Sequence, residues 1–365
     1  MILDRYFARR FLQAFVLIGA VFLTLIMLID MIEQARRFED VEISFGQLFG
    51  LTLLAAPAAI NEILPLLMIL ATIVLFVGLA RSSELVVTRA TGRSGIRALA
   101  APVFVALVIG GLAVSTLNPI VAATSNRYQQ LSESYRTGGP SVLSLSGEGL
   151  WLRQGSARGQ SVIHATGYAE DAVTLYGVTI LTYAANGGPV RQILADTARL
   201  EADAWVLENA KVWPLAAGLN PEASAALHAE LRIPTTLTQD RIRDSIGRPS
   251  GISIYDMPET IRDLAQAGFS TKRYEVWYQV ELARPLFLVA MVLIGAAFTM
   301  RHVRFGGTGV AVLAAVLLGF ALYFVRNFAQ ILGENGQLPV LLAAWAPPVA
   351  SVCLALGLLL HAEDG

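Results

Sequence analysis

The chain alternates between long apolar runs and short polar segments. Six of the runs approach or exceed the about 20 residues that a helix needs to cross a bilayer. They cover residues 11–29, 47–80, 96–117, 282–300, 309–328 and 338–360. The pattern predicts six membrane-spanning helices, with a short polar loop at residues 30–42 after the first. In the second run, Pro57 and Pro65 predict a kinked span. The run is also long enough to allow a turn at the membrane surface before that span.

Between the third and fourth runs, the pattern changes to short segments in which apolar and polar residues alternate. Such alternation is typical of β-strands that bury one face. An Asn-Gly-Gly-Pro turn at residues 186–189 separates two of these segments. The predicted strands cover residues 173–183, 190–194, 205–207 and 212–213.

The predicted fold is an α-helical membrane protein with an all-β domain inserted between its third and fourth transmembrane helices. Residues 1–117 hold three helices, residues 118–280 hold the β domain with connecting helices, and residues 281–365 hold three more helices. The third span is expected to end at Asn118, which precedes a proline. Pro258 is expected to start a short helix after the strands.

The sequence RSSELVVTRATGRSG, residues 81–95, forms a polar segment between the second and third apolar runs. Ser82 is a candidate N-cap, Glu84 lies where the dipole of a first helical turn favours an anion, and Gly92 is a candidate C-terminal stop. The predicted helix, near residues 82–92, would be about 14 Å long. It is too short to cross the membrane and is expected at its surface.

Leu85, Val86 and Ala90 give the polar segment a small apolar patch. Two interpretations fit such a patch. The segment is either a connector that rests on lipid headgroups or a docking element for a partner protein.

The composition is that of a membrane protein. Hydrophobic residues make up 55% of the chain and charged residues 15%, whereas a soluble domain has about 25% charged residues. Cys353 is the only cysteine, which excludes an intrachain disulfide. The four histidines are scattered without the spacing of metal ligands, so no metal site is predicted.

Arginines near the ends of the predicted helices give the orientation of the chain. One side of the membrane would hold Arg5, Arg9, Arg10, Arg81, Arg89, Arg93, Arg97, Arg301 and Arg304. The short loops of the other side would hold only Arg36 and Arg37, among several acidic residues. Because loops rich in arginine and lysine stay in the cytoplasm, both termini and the polar segment are predicted to be cytoplasmic and the β domain external.

The chain carries no phosphate-binding loop of its own. Its two lysines, Lys211 and Lys272, both lie outside a Gly-x-x-x-x-Gly-Lys pattern. If the protein works against a gradient, the nucleotide energy must come from another subunit. The polar segment is then the cytoplasmic surface on which that subunit would act.

The Gly-x-Ser-Gly pattern of rhomboid-type intramembrane proteases occurs at residues 92–95. Such a serine needs a histidine base within hydrogen-bond reach inside the membrane. Here Ser94 lies in an arginine-rich loop, and His302 and His361 lie at the ends of predicted helices. The sequence favours a helix-ending glycine followed by a polar turn, and no catalytic residue is predicted.

Charged residues at or in the spans are candidate ligand contacts, because an unpaired charge in hydrocarbon costs about 2.5 to 3.5 kcal/mol. They are Asp30, Glu33, Glu62, Arg284 and Arg326, with Arg36 and Arg37 at the outer end of the first span. All except Glu62 and Arg284 are expected towards the outer leaflet. There they would rim an outward-facing cavity, where guanidinium groups suit phosphate geometry. The alternative for each residue is snorkelling to the interface, with ion pairs inside the protein.

The order of elements and several local motifs resemble the LptF/LptG permeases of lipopolysaccharide export, over nearly the whole chain. The most specific motif is SELVVTRATG in the polar segment. The others are LDRYFARRF near the N-terminus, MIEQARRF after the first apolar run, GLWLRQG at residues 149–155 and ELARPLFL at the fourth span. The segments Gly149-Leu150-Trp151 and Glu33-Gln34, together with Pro285, favour the LptG branch of the family, with the LptF branch as the alternative.

This resemblance implies a non-enzymatic permease half in the bacterial inner membrane, with lipopolysaccharide as its substrate. Its partners would be an LptF paralogue, a dimer of the ATPase LptB and the subunit LptC. The chain would hold no cofactor, since LptB would hydrolyse the ATP. The β domain would be a periplasmic β-jellyroll. The polar segment would be a coupling helix that docks on LptB through Glu84, with Leu85, Val86 and Arg89 as supporting contacts.

In one respect the sequence departs from some relatives, which carry lysines at the positions of Asp30 and Ala58. Two expectations remain for the lipid phosphates. Either Arg36, Arg37 and Arg326 take over part of the contact, or the native lipid is less densely phosphorylated. Two other functions stay open: a permease of a different ABC system, and a membrane scaffold with a periplasmic sensor domain.

Overall fold

A computed structural model describes most of the chain. The described residues are 2–39, 43–84, 87–88, 95–137, 144–146, 149–156, 159–168, 174–184, 188–201, 204–215, 220–235, 249–266, 270–300 and 308–364. They form two compact units. The helical unit comprises Met1–Ser132, Ile252–Met257 and Lys272–Gly365, and the β unit comprises Glu133–Gly251 and Pro258–Thr271.

Long helices dominate the helical unit. In chain order, the α-helices with described bounds are α1 (Ile2–Arg37), α2 (Phe45–Arg81), α3 (Gly95–Leu112), α4 (Asn118–Thr137), α5 (Met257–Gln266), α6 (Lys272–Thr299), α7 (Thr308–Glu334) and α8 (Val340–Asp364). A π-helical turn, Ala113–Leu117, joins α3 to α4. Within the described residues, six helical stretches are long and apolar enough to cross a membrane, with α3, the π turn and α4 forming one of them. The prediction of six spans is confirmed.

The first helix is longer than the sequence pattern predicts. The polar loop predicted from residue 30 is wrong up to Arg37, because α1 continues through these residues. Residues 30–37, DMIEQARR, contain no glycine or proline and are mostly good helix formers. Arg36 and Arg37 also lie in the last turn, where the helix dipole favours positive charge. The polarity of this stretch therefore reflects an exposed helix end.

The sequence predicts that the third span ends at Asn118, but the helix continues past this residue. The π turn carries the helix past this point into α4. Pro119 has no N–H, so the carbonyl of Ser115 lacks a helical donor, and the hydroxyl of Tyr255 donates to it at 2.9 Å. The backbone N–H of Ile254 donates to Oδ1 of Asn118, also at 2.9 Å. Contacts from a distant segment of the helical unit thus stabilise the helix next to the π turn.

The second span is one continuous helix, without the surface turn that its sequence allows. Its start is fixed by Ser44 and Gln47, whose side chains each bond the backbone N–H of the other in a capping box. Pro57 and Pro65 both lie inside the helix. Their missing N–H groups leave carbonyls without helical partners.

Helix α6 lies at the centre of the helical unit and contacts α2, α3, α7 and α8. Residues 287–297 of this helix are all buried. Glycines allow close approach: a Cβ added to Gly110 of α3 would lie 2.6 Å from the Cα of Pro285. A Cβ added to Gly295 would lie 2.9 Å from the Cβ of Thr72 on α2. The core therefore depends on small residues at its helix crossings.

The described strands of the β unit form one antiparallel sheet of seven strands in sequential order. They are β1 (Ser144–Ser146), β2 (Gly149–Ser156), β3 (Gly159–Tyr168), β4 (Thr174–Ala184), β5 (Pro189–Leu200), β6 (Ala204–Pro214) and β7 (Ala226–Pro234). Alternate residues, such as Ile193, Trp205 and Leu207, form a buried cluster. The predicted all-β region between the third and fourth spans is confirmed.

Strands β4 and β5 match the two segments predicted around the 186–189 turn, and the N–H of Ala184 donates to the carbonyl of Gly188 at 2.8 Å. The prediction of two separate strands at 205–207 and 212–213 is wrong, because both belong to β6. Asn209 interrupts the alternation with a φ of 54°. Its side chain donates to Asp196 of β5 at 2.9 Å.

Candidate functional site

The polar segment begins directly at the end of α2. Ser82 is the C-cap of α2, with its N–H directed to the carbonyls of Gly78 and Ala80, so its predicted role as an N-cap is wrong. Ser83 has a φ of 59°, and its carbonyl accepts from the N–H of Val87 at 3.2 Å. The next helical turn therefore starts one residue later than predicted. Because only two residues separate the helices, Ser82 is needed to end the first.

The carboxylate of Glu84 is held by the first turns of α1. The hydroxyl of Tyr6 donates to Oε2 at 2.8 Å, and the hydroxyl of Ser82 donates to Oε1 at 2.8 Å. A guanidinium nitrogen of Arg10 lies 3.7 Å from Oε1, and the same guanidinium lies over the ring of Tyr6, 5.1 Å from its centroid. Both carboxylate oxygens of Glu84 are therefore engaged within the chain.

These contacts set the charge state of Glu84. Burial raises the pKa of its carboxyl, but the hydrogen bonds from Tyr6 and Ser82 and the positive charge of Arg10 together outweigh burial. The pKa consequently lies below its ordinary value, and Glu84 is ionised at neutral pH. The side chain remains 33% exposed.

The described residues after Glu84 differ in exposure. The side chain of Val87 is 64% exposed, whereas Thr88 is buried and its hydroxyl donates to the carbonyl of Glu84 at 2.8 Å. The polar segment thus presents one side chain outward and packs the next against the protein. The predicted contacts Leu85, Val86 and Arg89 lie outside the described residues, as does Ala90 of the predicted patch.

A second polar group lies at the far end of α1. Gln34 is buried, and its amide nitrogen donates to the hydroxyl of Tyr128 at 2.6 Å and to Asp30 at 3.5 Å. Arg37 also donates to the Tyr128 hydroxyl, at 3.3 Å, and lies 3.9 Å from the carboxylate of Glu33. Of the predicted cavity residues, the structure therefore brings Asp30, Glu33 and Arg37 together.

Arg36 lies on the same helix end and is exposed, as are Glu33 and Arg37. Two guanidinium groups and one carboxylate are therefore open to solvent or a ligand here. Their geometry suits bidentate contacts to phosphate oxygens.

Arg326 belongs to a different group. It is 8% exposed, and its guanidinium carbon lies 5.3 Å from the centroid of the Phe287 ring. Its charged neighbours are Arg284 and Glu281 of α6, which form an ion pair with each other. This buried group holds two guanidinium charges and one carboxylate, an excess of one positive charge.

Arg284 also joins α6 to α2. Its Nη1 donates to the carbonyl of Asn61 at 2.8 Å and to the side-chain oxygen of Asn61 at 2.5 Å. That carbonyl lies four residues before Pro65 and so has no donor in its own helix. Arg284 therefore has a structural role inside the protein. Glu62, the other charge predicted within a span, is exposed.

Comparison with known proteins places this arrangement in a family. The family model described as "Lipopolysaccharide export system permease LptF/LptG" matches residues 5–361. The chain belongs to the LptF/LptG permease family. The LptG protein of Haemophilus influenzae is 24% identical, and the alignment covers 99% of each chain. The LptG protein of Escherichia coli K12 is 22% identical, with 99% of this chain and 98% of the relative covered.

Membership of the LptF/LptG family and the six apolar helices together identify a multi-pass protein of the inner membrane. The protease-like pattern finds no support in the described residues. Ser94 and His302 lie outside them, and His361 is exposed near the end of α8. Within the described residues, no three His, Cys, Asp or Glu side chains group as metal ligands.

Among the residues of these groups that were not predicted as site residues from the sequence are Tyr6, Asn61, Tyr128 and Glu281. Two of them have a local signal. Asn61 lies four residues before Pro65, and Glu281 lies one helical turn before Arg284. Tyr6 and Tyr128 have none, because Tyr6 lies 78 residues from Glu84 and Tyr128 lies 94 residues from Gln34.

Proposed function

We propose that this chain is a permease subunit that extracts lipopolysaccharide from the inner membrane and passes it to a periplasmic bridge towards the outer membrane. The observation that carries the proposal is the family match across residues 5–361. It covers the six membrane spans of the described residues and the sheet between the third and fourth spans. The substrate is the one named for the family and for the relatives from H. influenzae and E. coli.

The proposed complex contains an LptF paralogue, an LptB ATPase dimer and LptC. An ATPase in trans is required because the chain lacks a phosphate-binding loop. The LptF branch is the alternative identity for this chain, but the similar curated relatives carry the name LptG, which favours the LptG position.

The proposed orientation puts both termini and the polar segment in the cytoplasm and the β unit in the periplasm. It rests on the arginines near the helix ends. In this orientation the polar segment lies on the side where ATP is hydrolysed, and the end of α1 with Arg36 and Arg37 lies at the opposite surface.

The polar segment is proposed to dock on the ATPase through Glu84, Leu85, Val86 and Arg89. Two observations support a docking role. The exposed Val87 offers apolar surface at a site that faces the aqueous phase, and the hydrogen bonds of Glu84 hold the start of the segment in one position. A preorganised segment loses less conformational entropy on binding.

Lipopolysaccharide is proposed to contact the end of α1 and the group around Arg326. Arg36 and Arg37 are exposed and suit direct contact with phosphate, whereas Arg326 is mostly buried and adds positive charge behind the surface. Asp30 and Glu33 hold the surrounding side chains. Photocrosslinkers at the exposed positions 36 and 37 are expected to capture lipopolysaccharide. Capture only at neighbouring apolar positions would exclude the arginines as phosphate contacts.

Affinity purification of the tagged chain from native membranes in mild detergent tests the proposed function. The expected result is co-purification of a nucleotide-binding subunit and a second six-span chain, with lipopolysaccharide among the bound lipids. Recovery of the chain alone would favour a membrane scaffold. Recovery of an ATPase with a different bound substrate would favour another ABC system.

A further inference from the structure

The contacts of Glu84 come from its own chain. Tyr6 and Ser82 each donate a hydrogen bond to the carboxylate, at 2.8 Å in both cases, and Arg10 lies 3.7 Å from it. A contact with the ATPase would therefore compete with these donors or use only the exposed third of the side chain. The carboxylate therefore has a structural role within the chain in addition to its proposed contact with the ATPase.

Tyr6 and Arg10 of α1 contact each other as well as Glu84. Tyr6 and Arg10 lie four residues apart and so occupy the same face of the helix. The guanidinium of Arg10 lies over the ring of Tyr6, and the Tyr6 ring lies 5.9 Å from that of Phe7, which is buried. Phe7 anchors this turn in the core of the helical unit. The hydroxyl that binds Glu84 thus projects from a fixed part of the helix.

We propose that Tyr6 and Arg10 are positioning residues that couple the polar segment to α1 through Glu84. This inference rests on the proposed function, in which an ATPase acts on the polar segment. The segment is already joined covalently to α2 through Ser82 and Ser83. The Glu84 contacts add α1 as a second helix that follows any displacement of the segment.

The two helices differ in what they can transmit. Helix α2 contains Pro57 and Pro65, whereas α1 runs for 36 residues without a proline. Proline weakens a helix by removing a backbone hydrogen bond. An uninterrupted helix carries displacement from one end to the other, and the far end of α1 holds Arg36 and Arg37. The Glu84 contacts therefore link the ATPase surface to the proposed lipid-binding end of α1.

The functional test separates coupling from assembly. Tyr6→Phe removes the hydrogen bond and keeps the ring, Arg10→Gln removes the charge, and Arg9→Gln is the matched control on an exposed neighbour. Each variant complex is placed in proteoliposomes, and lipopolysaccharide released and phosphate produced are measured together. Tyr6→Phe and Arg10→Gln are expected to lower the lipid released per ATP by about threefold. Arg9→Gln and the conservative Arg10→Lys are expected to keep the wild-type ratio. Because lipid release is expressed per ATP hydrolysed, a change in the amount of bound ATPase does not alter this ratio.

A distance measurement tests the coupling directly. Spin labels at positions 25 and 87, both exposed, are introduced in a Cys353→Ser background. In the parent chain, the distance between the labels is expected to stay the same when ATP and vanadate trap the complex. In the Tyr6→Phe and Arg10→Gln double variant it is expected to change on trapping. A parent distance that changes on trapping, or a variant that behaves like the parent, would overturn the inference.

The two measurements keep this inference apart from the proposed function. If the wild-type complex releases no lipopolysaccharide with ATP, the proposed function fails, and the label distances still decide the coupling. If the wild type releases lipid and both variants match Arg9→Gln, the coupling inference fails while the proposed function stands.

Discussion

Glu84 and Arg326 show how single charged residues serve different tasks in this chain. Glu84 lies in the polar segment, one third exposed, and both its oxygens are engaged by α1 and Ser82. Arg326 lies inside a span against an aromatic ring, in a group with a net positive charge. In the proposed function, Glu84 would contact the cytoplasmic ATPase, and Arg326 would stabilise the negative charge of a bound lipid.

Removal of the Glu84 carboxylate is expected to weaken ATPase binding without loss of membrane insertion. Glu84→Ala leaves Tyr6 and Arg10 without their acceptor, so the polar segment loses its fixed position. Association with the ATPase is expected to fall about tenfold, measured by co-purification or by titration of the purified subunits. Glu230→Ala, an exposed acid on β7, is the control. Unchanged co-purification and unchanged export would contradict the docking role.

The position of the polar segment is expected to depend on pH with a defined sign. The pKa of Glu84 is lowered in the folded protein from an ordinary value of 4.5, so its contacts stabilise the segment above that value. The stabilisation is lost as the pH falls through the folded pKa. A spin label at position 87 should therefore gain mobility below about pH 4.5. Glu84→Gln should remove this transition, and a transition that persists in the variant would assign it to another group.

At the scale of elements, the helical unit depends on how it satisfies the backbone at its prolines. Arg284 donates to the carbonyl of Asn61, which lacks a donor because Pro65 has no N–H. Tyr255 donates in the same way to the carbonyl of Ser115, four residues before Pro119. Both donors lie far away in the sequence. Pro65 and Pro119 therefore mark places where one element of the chain contacts another.

Arg284→Met is expected to lower the free energy of unfolding in detergent by about 3 kcal/mol, since it breaks the buried ion pair with Glu281 and removes a donor from the Asn61 carbonyl. A double-mutant cycle gives the sharper result. Pro65→Ala restores an N–H to the Asn61 carbonyl, so Arg284 and Pro65 should show an interaction energy of about 1 kcal/mol. The same cycle with Pro57→Ala should show none. Equal interaction energies for both prolines would exclude the proposed contact.

The crossing of α3 and α6 gives a prediction with a neighbouring control. A Cβ at Gly110 would lie 2.6 Å from the Cα of Pro285, whereas Gly111 has no atom within 4 Å of the corresponding position. Gly110→Ala is expected to destabilise the protein by about 2 kcal/mol, measured by thermal unfolding in detergent. Gly111→Ala should have little effect, and similar losses in both variants would contradict the packing.

The sequence predicts the spans well because crossing a membrane requires long apolar runs, which are visible locally. It fails where a partner lies far away along the chain. The local sequence at Asn118 predicts a helix end, because the contacts of Tyr255 and Ile254 that support the continuing helix come from a distant segment. The contact between Tyr6 and Glu84 spans 78 positions and has no local pattern. The docking role of Glu84 is predicted from a motif that resembles the family. Its hydrogen-bond partners are visible only in the structure.

At the scale of the whole molecule, the chain has the family's order of elements from end to end. Three spans, a seven-stranded sheet and three further spans match the LptF/LptG model over residues 5–361. The polar segment lies between the second and third spans, and it meets the start of α1. In the proposed mechanism, ATP hydrolysis in a partner moves this segment, and α1 and α2 carry the movement to the lipid.

Lipopolysaccharide release from proteoliposomes is the most direct test of the proposed function. The complex co-purified with this chain is reconstituted with lipopolysaccharide, and transfer to a soluble acceptor is followed with ATP or a non-hydrolysable analogue. Release is expected to require ATP hydrolysis and to fall when Glu84 is replaced by alanine. Release that is equal with the analogue, or no release from a complex that hydrolyses ATP, would contradict the proposed function.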